Sequence, residues 1–236
     1  MAQLSVGTSG YAYREWKGSF YPKGLPAGEM LRFYAQHFTT VEINYTFYHM
    51  PVKNTLQQWA SNVPDGFQFA LKANNLITHI QRLRGCADTL RLFLEAASAL
   101  ESEDCLGPVL VQLPPNFPAD LRVLEQFLKL CPRTLRFTLE FRHASWYAED
   151  TYALLRSYGV ALCLAETDDL TPPNILTADF SYVRLRRSTY GPKRLAAWKQ
   201  RFDAWLSNGI SVFAYFKHEE TGKAPAYARR LLRSRA

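Results

Sequence analysis

Short apolar segments alternate with amphipathic segments along nearly the whole chain. The apolar segments are rich in Val, Ile, Leu and Phe, which is typical of strands buried on both faces. We predict eight strands, at residues 4–7, 40–44, 67–73, 108–114, 135–141, 160–166, 180–186 and 210–217.

A helical periodicity follows nearly every predicted strand. After the strand at 108–114, for example, Leu121, Leu124 and Leu128 recur at the spacing of one helix face. The segment after the strand at 160–166 contains prolines and leaves little room for a helix.

Alternating strands and helices predict an α/β fold with a parallel sheet, and eight such units favour a (β/α)₈ TIM-type barrel. We expect a single barrel domain over residues 1–236, with the helix after strand six short or missing. The alternative is an open doubly wound sheet. It would usually carry a G-x-G-x-x-G loop after its first strand, and the sequence VGTSGYAY does not match that motif.

Polar residues keep a period of two inside several predicted strands, so they lie on one face of each strand. Because the other face would pack under the helices, we expect the polar set to face the barrel axis. Its members are Glu42, Asn44, Gln68, Lys72, Gln112, Thr138, Glu140, Arg142, Arg184, Arg186, Tyr215 and Lys217.

Most of this polar set falls at the C-terminal ends of the strands, where (β/α)₈ barrels carry their active or binding sites. Its charges are five cations, from Lys72, Arg142, Arg184, Arg186 and Lys217, against the carboxylates of Glu42 and Glu140. Unpaired buried charge costs several kcal/mol. The surplus therefore predicts a bound anion, such as a phosphate or carboxylate. The alternative is a salt-bridged, hydrated interior without a ligand.

The loops expected over that end are rich in aromatic and histidine residues, including Tyr48, His79, His143 and Trp146. Such side chains can line a binding site and stack on bases or sugars, or they can simply pack the loops onto the barrel rim. We expect no cofactor. A divalent metal is an open alternative, with potential ligands at His49, His79, His143, His218, Glu42, Glu140 and Glu166. The surrounding positive charge would oppose it.

The composition is that of an ordinary globular protein, with 47% hydrophobic and 21% charged residues. The net charge of +7 favours anionic partners, including nucleic acid. Part of it comes from the stretch ARRLLRSRA near the C-terminus, which also suits a solvated helix. Because the first residues do not resemble a signal peptide and no apolar stretch approaches the roughly 18 residues of a membrane helix, we expect a cytoplasmic protein without membrane contact. The sequence does not indicate the oligomeric state.

Several motifs resemble the YecE-like family, a prokaryotic family of unknown function (domain-of-unknown-function family 72). They are VGTSGYAYREWKGSFYP, VEINYTFYHMP, LKANNLITHIQRL, VQLPPNF, LEFRHASW and GKAPAYARRL, and the match runs nearly end to end. The resemblance implies a TIM-type barrel and no settled activity. The positions that match are Glu42, Asn44, Tyr48, Lys72, His79, Gln112, Glu140, Arg142, His143 and Trp146.

The sequence departs from the family pattern in two places. Where the family tends to have Arg-x-His-Gly, this chain has RLRR, so Arg184 fits whereas Arg186 and Arg187 replace small or neutral residues. Where the family often has paired asparagines after the eighth strand, this chain has FKHEE, with Lys217 and His218. Both changes add ionisable groups near the expected site.

Three functions are consistent with the sequence, and whether the protein is an enzyme stays open. The first is a barrel that binds an anionic small molecule or hydrolyses a phosphodiester or sugar phosphate. In it Lys72, Arg142 and Arg184 hold the anion, Glu140 or Glu42 is the general base, and Gln112 and Asn44 orient the substrate. The second is a non-catalytic nucleic-acid-binding protein. The third is a glycoside hydrolase using Glu42 and Glu140.

Overall fold

The computed structural model describes residues 2–217 and 222–233, and eight parallel strands form its centre. The strands are β1 (Leu4–Thr8), β2 (Thr40–Ile43), β3 (Gln68–Lys72), β4 (Leu106–Gln112), β5 (Phe137–Glu140), β6 (Ala161–Glu166), β7 (Phe180–Leu185) and β8 (Ser211–Phe216). Each of β2 to β7 pairs with the next strand, and β8 pairs with β1, so the sheet curls into a nearly closed barrel. The predicted eight-stranded parallel barrel is confirmed.

Helices alternate with the strands around the outside of the barrel. They are α1 (Met30–Ala35), α2 (Tyr45–Tyr48), α3 (Lys53–Ala60), α4 (Ala87–Glu101), α5 (Leu121–Leu128), α6 (Glu149–Tyr158), α7 (Pro192–Ser207) and α8 (Lys223–Arg233). Residues 167–179, between β6 and β7, contain no helix, as the prolines predicted. Within the described ranges, every helix is too short or too polar to span a lipid bilayer.

The strands divide their side chains between two buried layers. Residues of one phase, such as Val41, Phe69 and Val183, join the main core under the helices. Residues of the other phase fill the barrel interior with a smaller apolar cluster: Ala70, Leu110, Ala161, Cys163, Phe180, Tyr182, Phe213 and Tyr215. This cluster lies nearer the N-terminal ends of the strands, so the polar residues that follow it in each strand lie towards the C-terminal ends. We call this end, with the loops that leave it, the barrel mouth.

The C-terminal helix α8 packs against β1 and β8 and buries Ala228 and Leu231. The Arg229 guanidinium lies 4.8 Å from the centre of the Phe20 ring, so it belongs to the packing of this helix. Arg230 and Arg233 are exposed, and Arg235 is outside the described residues. For the described part of this stretch, the arrangement favours a solvated helix.

The barrel closes between β1 and β2 with the help of one tyrosine. The Tyr34 hydroxyl accepts a hydrogen bond from the Thr8 N–H at 2.9 Å and donates one to the Thr40 carbonyl at 3.0 Å. It thereby bridges two strands whose direct backbone pairing is limited to the region of Ser9 and Glu42. A Cβ on Gly7 would lie 2.1 Å from the Thr40 oxygen, so only glycine permits this close approach.

We expect Tyr34→Phe to lower the free energy of unfolding by about 1–3 kcal/mol, because the buried Thr8 N–H and Thr40 carbonyl would each lose a partner. Urea denaturation measures the effect. The matched control is Tyr48→Phe, at an exposed tyrosine, which we expect to change stability by less than about 0.5 kcal/mol. Equal effects of the two substitutions would contradict the bridging role of Tyr34.

Candidate functional site at the barrel mouth

One arginine lies at the centre of the barrel mouth. Arg184, on β7, is fully buried. Its Nη2 donates to Glu42 Oε1 at 2.6 Å, and its Nη1 donates to Glu140 Oε2 at 2.5 Å. Because Glu42 comes from β2 and Glu140 from β5, a single planar guanidinium joins three separate parts of the barrel wall.

Glu42 is hydrogen-bonded through both carboxylate oxygens. Besides Arg184, Oε1 accepts from Ser9 Oγ at 2.5 Å and from Asn44 Nδ2 at 3.3 Å. Oε2 accepts from the Tyr182 hydroxyl at 2.8 Å. Burial by itself raises the pKa of Glu42, but the charges of Arg184 and Arg186 and the Ser9 hydrogen bond outweigh it, so the net pKa is lowered. Glu42 is therefore ionised at neutral pH.

Glu140 has the same character and more cationic neighbours. Its Oε1 accepts from Gln112 Nε2 at 2.8 Å and from Arg142 Nε at 3.2 Å, and Arg186 Nη1 lies 3.6 Å away. Burial raises the pKa of Glu140, whereas Arg184, Arg186 and Arg142 lower it far more, so the pKa lies well below its usual range. This carboxylate is the shared counter-charge of three arginines.

Lys72 differs from the arginines because it has no carboxylate partner. It lies at the end of β3 with 7% of its surface exposed, and it makes no ion pair within the described residues. Its Nζ sits 3.7 Å from the centre of the Phe47 ring. Burial and the Arg184 charge lower the pKa of Lys72 to about 7, although Glu42 and Glu140 act in the opposite direction. The ring attracts a buried ammonium by about 2 kcal/mol, less than the several kcal/mol that burying such a charge costs.

The predicted surplus of positive charge is therefore distributed unevenly. Arg184 is matched by two glutamates, while Arg142 and Arg186 share what remains of Glu140. The Arg142 side chain is 38% exposed and reaches solvent, whereas Arg186 is mostly buried and its Nε has no hydrogen-bond partner. Lys217 follows β8 and is half-buried. The mouth thus contains cations with different degrees of exposure and pairing beside the ion-paired group of Arg184, Glu42 and Glu140.

His79 borders this cluster, in the loop after β3. Its Nδ1 lies 2.8 Å from Thr78 Oγ1, and its ring packs edge-on against Phe47. Burial, followed by the charges of Lys72 and Arg142, lowers the pKa of His79. Farther along this loop, Arg82 and Leu83 adopt left-handed conformations, with φ of 48° and 65°. Such strain is often found beside functional sites.

Other predicted site residues lie elsewhere. Tyr215 is one layer deeper in the barrel, where its hydroxyl is 2.7 Å from Thr40 Oγ1. His143 caps the turn Ala144–Trp146 and is 2.8 Å from Ser145 Oγ. Trp146 is fully buried: its Nε1 donates to the Phe117 carbonyl and its ring stacks on Phe141. Tyr48 is 69% exposed and contacts Phe47 edge-on. The structure brings none of these four into the Arg184 network.

The residues considered for a metal are dispersed. Within residues 2–217 and 222–233, no three His, Cys, Asp or Glu side chains come together as a metal site requires. Glu166 faces the helix layer, where it accepts from Arg194 at 2.5 Å and from Trp198 Nε1 at 2.9 Å. His49 stacks on Tyr45, and His218 lies outside the described residues.

Sequence analysis missed two members of the network, Ser9 and Tyr182. Ser9 lies just after β1, in phase with Ser5 and Gly7, so extending the two-residue period by one step would have identified it. Tyr182 is two residues before Arg184 and shares its face. It was missed because tyrosine counts as a hydrophobic residue in the strand pattern, although its hydroxyl donates a hydrogen bond to Glu42.

An aromatic cavity of about 270 Å³ opens beside the mouth. Its lining includes Tyr11, Tyr13, Asn44, Tyr45 and Trp59. Because Asn44 also donates to Glu42, this residue connects the cavity to the charged network. A larger cavity of about 380 Å³ lies on the helix side of β6, between Glu166, Thr171 and α7.

Comparisons with known proteins identify relatives along the whole barrel. A family model described as "Protein of unknown function DUF72" matches residues 5–236. The UPF0759 protein YecE of Escherichia coli (strain K12) is 34% identical over 131 residues, which are 55% of this chain and 47% of that protein. The UPF0759 protein YunF of Bacillus subtilis (strain 168) is 27% identical over 163 residues, 66% of this chain and 56% of that protein. The chain thus spans about half the length of the curated relatives that it matches.

Solved structures share the fold. A DUF72 family protein from Thermotoga maritima superimposes with a TM-score of 0.87 at 26% identity and covers 98% of both chains. An AP endonuclease of family 2 from Brucella melitensis superimposes with a TM-score of 0.58 at 13% identity over 96% of this chain and 98% of that one. The second likeness shows the fold alone.

We expect Arg184→Met to lower the free energy of unfolding by about 3–5 kcal/mol near pH 7, because among the described residues it leaves the buried Glu42 without an ion pair and Glu140 with only the more distant Arg142 and Arg186. In the variant the pKa of both glutamates rises, so the folded state takes up protons that the wild type does not. The stability deficit should therefore grow as the pH rises from about 4 to about 7, in denaturation curves measured at each pH. Arg91→Met, which removes an exposed ion pair on α4, should change stability little at any pH. A deficit of Arg184→Met that is independent of pH would contradict this charge balance.

Lys72 should make the free energy of unfolding depend on pH in the alkaline range. Since its pKa is lowered to about 7 in the folded protein and is about 10.4 in the unfolded chain, the unfolded state binds more protons between these values. The wild type should then gain stability relative to Lys72→Met as the pH rises from 7 to 10, in denaturation curves at each pH. Lys129→Met, at an exposed lysine on the barrel surface, serves as the control and should show no such gain. If the stability difference between the wild type and Lys72→Met did not change from pH 7 to 10, this amine would be charged in the folded protein.

Proposed function

The chain belongs to the DUF72 family, and from the charges of its barrel mouth we propose that it binds an anionic small molecule that bears a phosphate or carboxylate group. The ligand contacts Arg142 and Arg186, with Lys72 and His79 at the edge of the same cluster. Arg184 contributes indirectly, by forming an ion pair with each of the two glutamates. A cytoplasmic location and a single domain over residues 1–236 remain predictions.

The observation that carries this proposal is the uneven pairing of the mouth. Three guanidinium groups, on Arg142, Arg184 and Arg186, share two carboxylates, and Arg184 takes one oxygen of each. Arg142 approaches Glu140 through its Nε, and its side chain is partly exposed to solvent. A planar guanidinium in this position suits bidentate contact with a phosphate or carboxylate.

Glu42 and Glu140 act in this proposal as positioning groups rather than as the general base expected from the sequence. Their lowered pKa makes them weak bases, and each accepts hydrogen bonds on both oxygens. Gln112 and Asn44, expected to orient a substrate, instead donate to these carboxylates. Hydrolysis of a phosphodiester or sugar phosphate remains a prediction. It would draw its base from Lys72 or His79.

The two other functions find less support in the geometry. A glycoside hydrolase needs one carboxyl group with a raised pKa to act as the acid, and the pKa of both glutamates is lowered. For nucleic-acid binding, the loop arginines Arg82 and Arg84 already contact Asn116 and Asp120. One structural neighbour is named an AP endonuclease, but at 13% identity that name lends no support.

We expect inorganic phosphate and phosphorylated metabolites to bind the wild-type protein in isothermal titration calorimetry, and Arg142→Ala to weaken binding about tenfold or more. The reason is the loss of a charge-assisted hydrogen bond, worth roughly 1.5–3 kcal/mol. Arg122→Ala, at an exposed arginine on α5, is the matched control and should bind like the wild type.

A salt series distinguishes the nucleic-acid alternative. The affinity for a single phosphate should fall modestly as the ionic strength rises. The affinity for an oligonucleotide should fall by orders of magnitude if the protein contacts several of its phosphates. Equal phosphate affinity for the wild type and Arg142→Ala would refute the proposed site.

A further inference from the structure

Lys72 stands apart from every other lysine that the structure describes. It is the only buried one, whereas Lys53, Lys129 and Lys193 are exposed on helices and Lys199 pairs with Asp203. It projects from a strand that is paired on both sides, by β2 and β4, so its backbone is rigidly held. Its Nζ contacts the Phe47 ring rather than a carboxylate, so no ion pair among the described residues stabilises the protonated form of the amine.

The neighbourhood of this amine combines two features that a reactive lysine requires. Burial and the adjacent arginines favour the neutral form, which is the nucleophilic one, and lower the pKa of Lys72 to about 7. The Arg186 charge acts on Lys72, and both Lys72 and Arg142 act on His79, so the two arginines that the proposed function assigns to an anionic group lie in the same electrostatic neighbourhood. An anion held there would bring the rest of its molecule towards Lys72.

We propose that Lys72 is a nucleophile that forms an imine with the carbonyl carbon of a small molecule bearing both an aldehyde or ketone and an anionic group. Keto acids and open-chain sugar phosphates share this chemistry. The inference rests on the proposed function, since the anion site supplies the orientation of the carbonyl.

The reaction is balanced without any added co-reactant. The Nζ lone pair attacks the carbonyl carbon, and the carbon–oxygen π electrons move to the oxygen, which takes up a proton to give a carbinolamine. The nitrogen gives up one proton. The hydroxyl group then takes up a proton and leaves as water while the nitrogen lone pair forms the carbon–nitrogen double bond, and loss of the second N–H proton leaves the neutral imine. His79, at the edge of the cluster and with a lowered pKa, is available to carry one of these protons.

Pyridoxal 5′-phosphate, which contains an aldehyde and a phosphate, is a suitable probe. The full-length wild-type protein is incubated with it, reduced with sodium borohydride, and digested for peptide mass spectrometry. We expect modification of Lys72 at least about tenfold faster than of Lys129, because far more of its amine is neutral near pH 7.5. Inorganic phosphate should compete, and pyridoxal, which lacks the phosphate, should label Lys72 more slowly.

Lys72→Arg is the matched variant, because it keeps a cation but cannot form an imine. It should lose the modified peptide at position 72, while the peptide that contains the exposed Lys129 is modified at the wild-type rate. If phosphate binds the wild type but Lys72 reacts no faster than Lys129, the imine is refuted and the anion site stands. If phosphate neither binds nor competes, the anion site is refuted, and the substrate class inferred for Lys72 falls with it.

Discussion

The bond between Arg184 and two glutamates determines most of what the barrel mouth can do. Burying a carboxylate or a guanidinium alone costs several kcal/mol, so these three groups are tolerable inside the protein only together. Each fixes the ionisation of the others: Arg184 keeps both glutamates charged, and they in turn raise the pKa of the guanidinium. Since the three residues come from β2, β5 and β7, the same contact also connects strands that are not neighbours in the barrel.

This contact leaves the remaining cations with unequal surroundings. Arg142 and Arg186 share one Glu140 oxygen as their ion-pair partner, and Lys72 contacts an aromatic ring. A guanidinium stays charged in such a place because its pKa is so high, whereas an amine responds to burial by losing its proton. Arginine and lysine therefore contribute different chemistry to one cluster: the arginines provide fixed charge for an anion, and the lysine provides a neutral amine.

Closure of the barrel and assembly of the site depend on the same strands. Glu42 accepts the Gly10 N–H at 2.7 Å through its backbone and the Ser9 hydroxyl through its side chain, so the seam between β1 and β2 is also one wall of the charged network. Tyr34 completes the seam below this point. A change that opened the seam would therefore disturb the position of Glu42, and through Arg184 the position of Glu140.

The sequence by itself determined the eight strands, the missing helix after β6, the family and the inward phase of Glu42, Lys72, Glu140 and Arg184. The strands and the inward phase follow from local periodicity, because a strand that is buried on both sides shows its inner face directly in the spacing of its residues. The missing helix follows from the prolines of its segment, and the family from the resemblance of the motifs. Only the tertiary structure decided which charges pair, because pairing depends on distances between strands far apart in sequence. It gave both glutamates to Arg184 and left Lys72 on the Phe47 ring. It also buried Trp146 and exposed Tyr48, because loop aromatics have no periodicity from which their direction could be predicted.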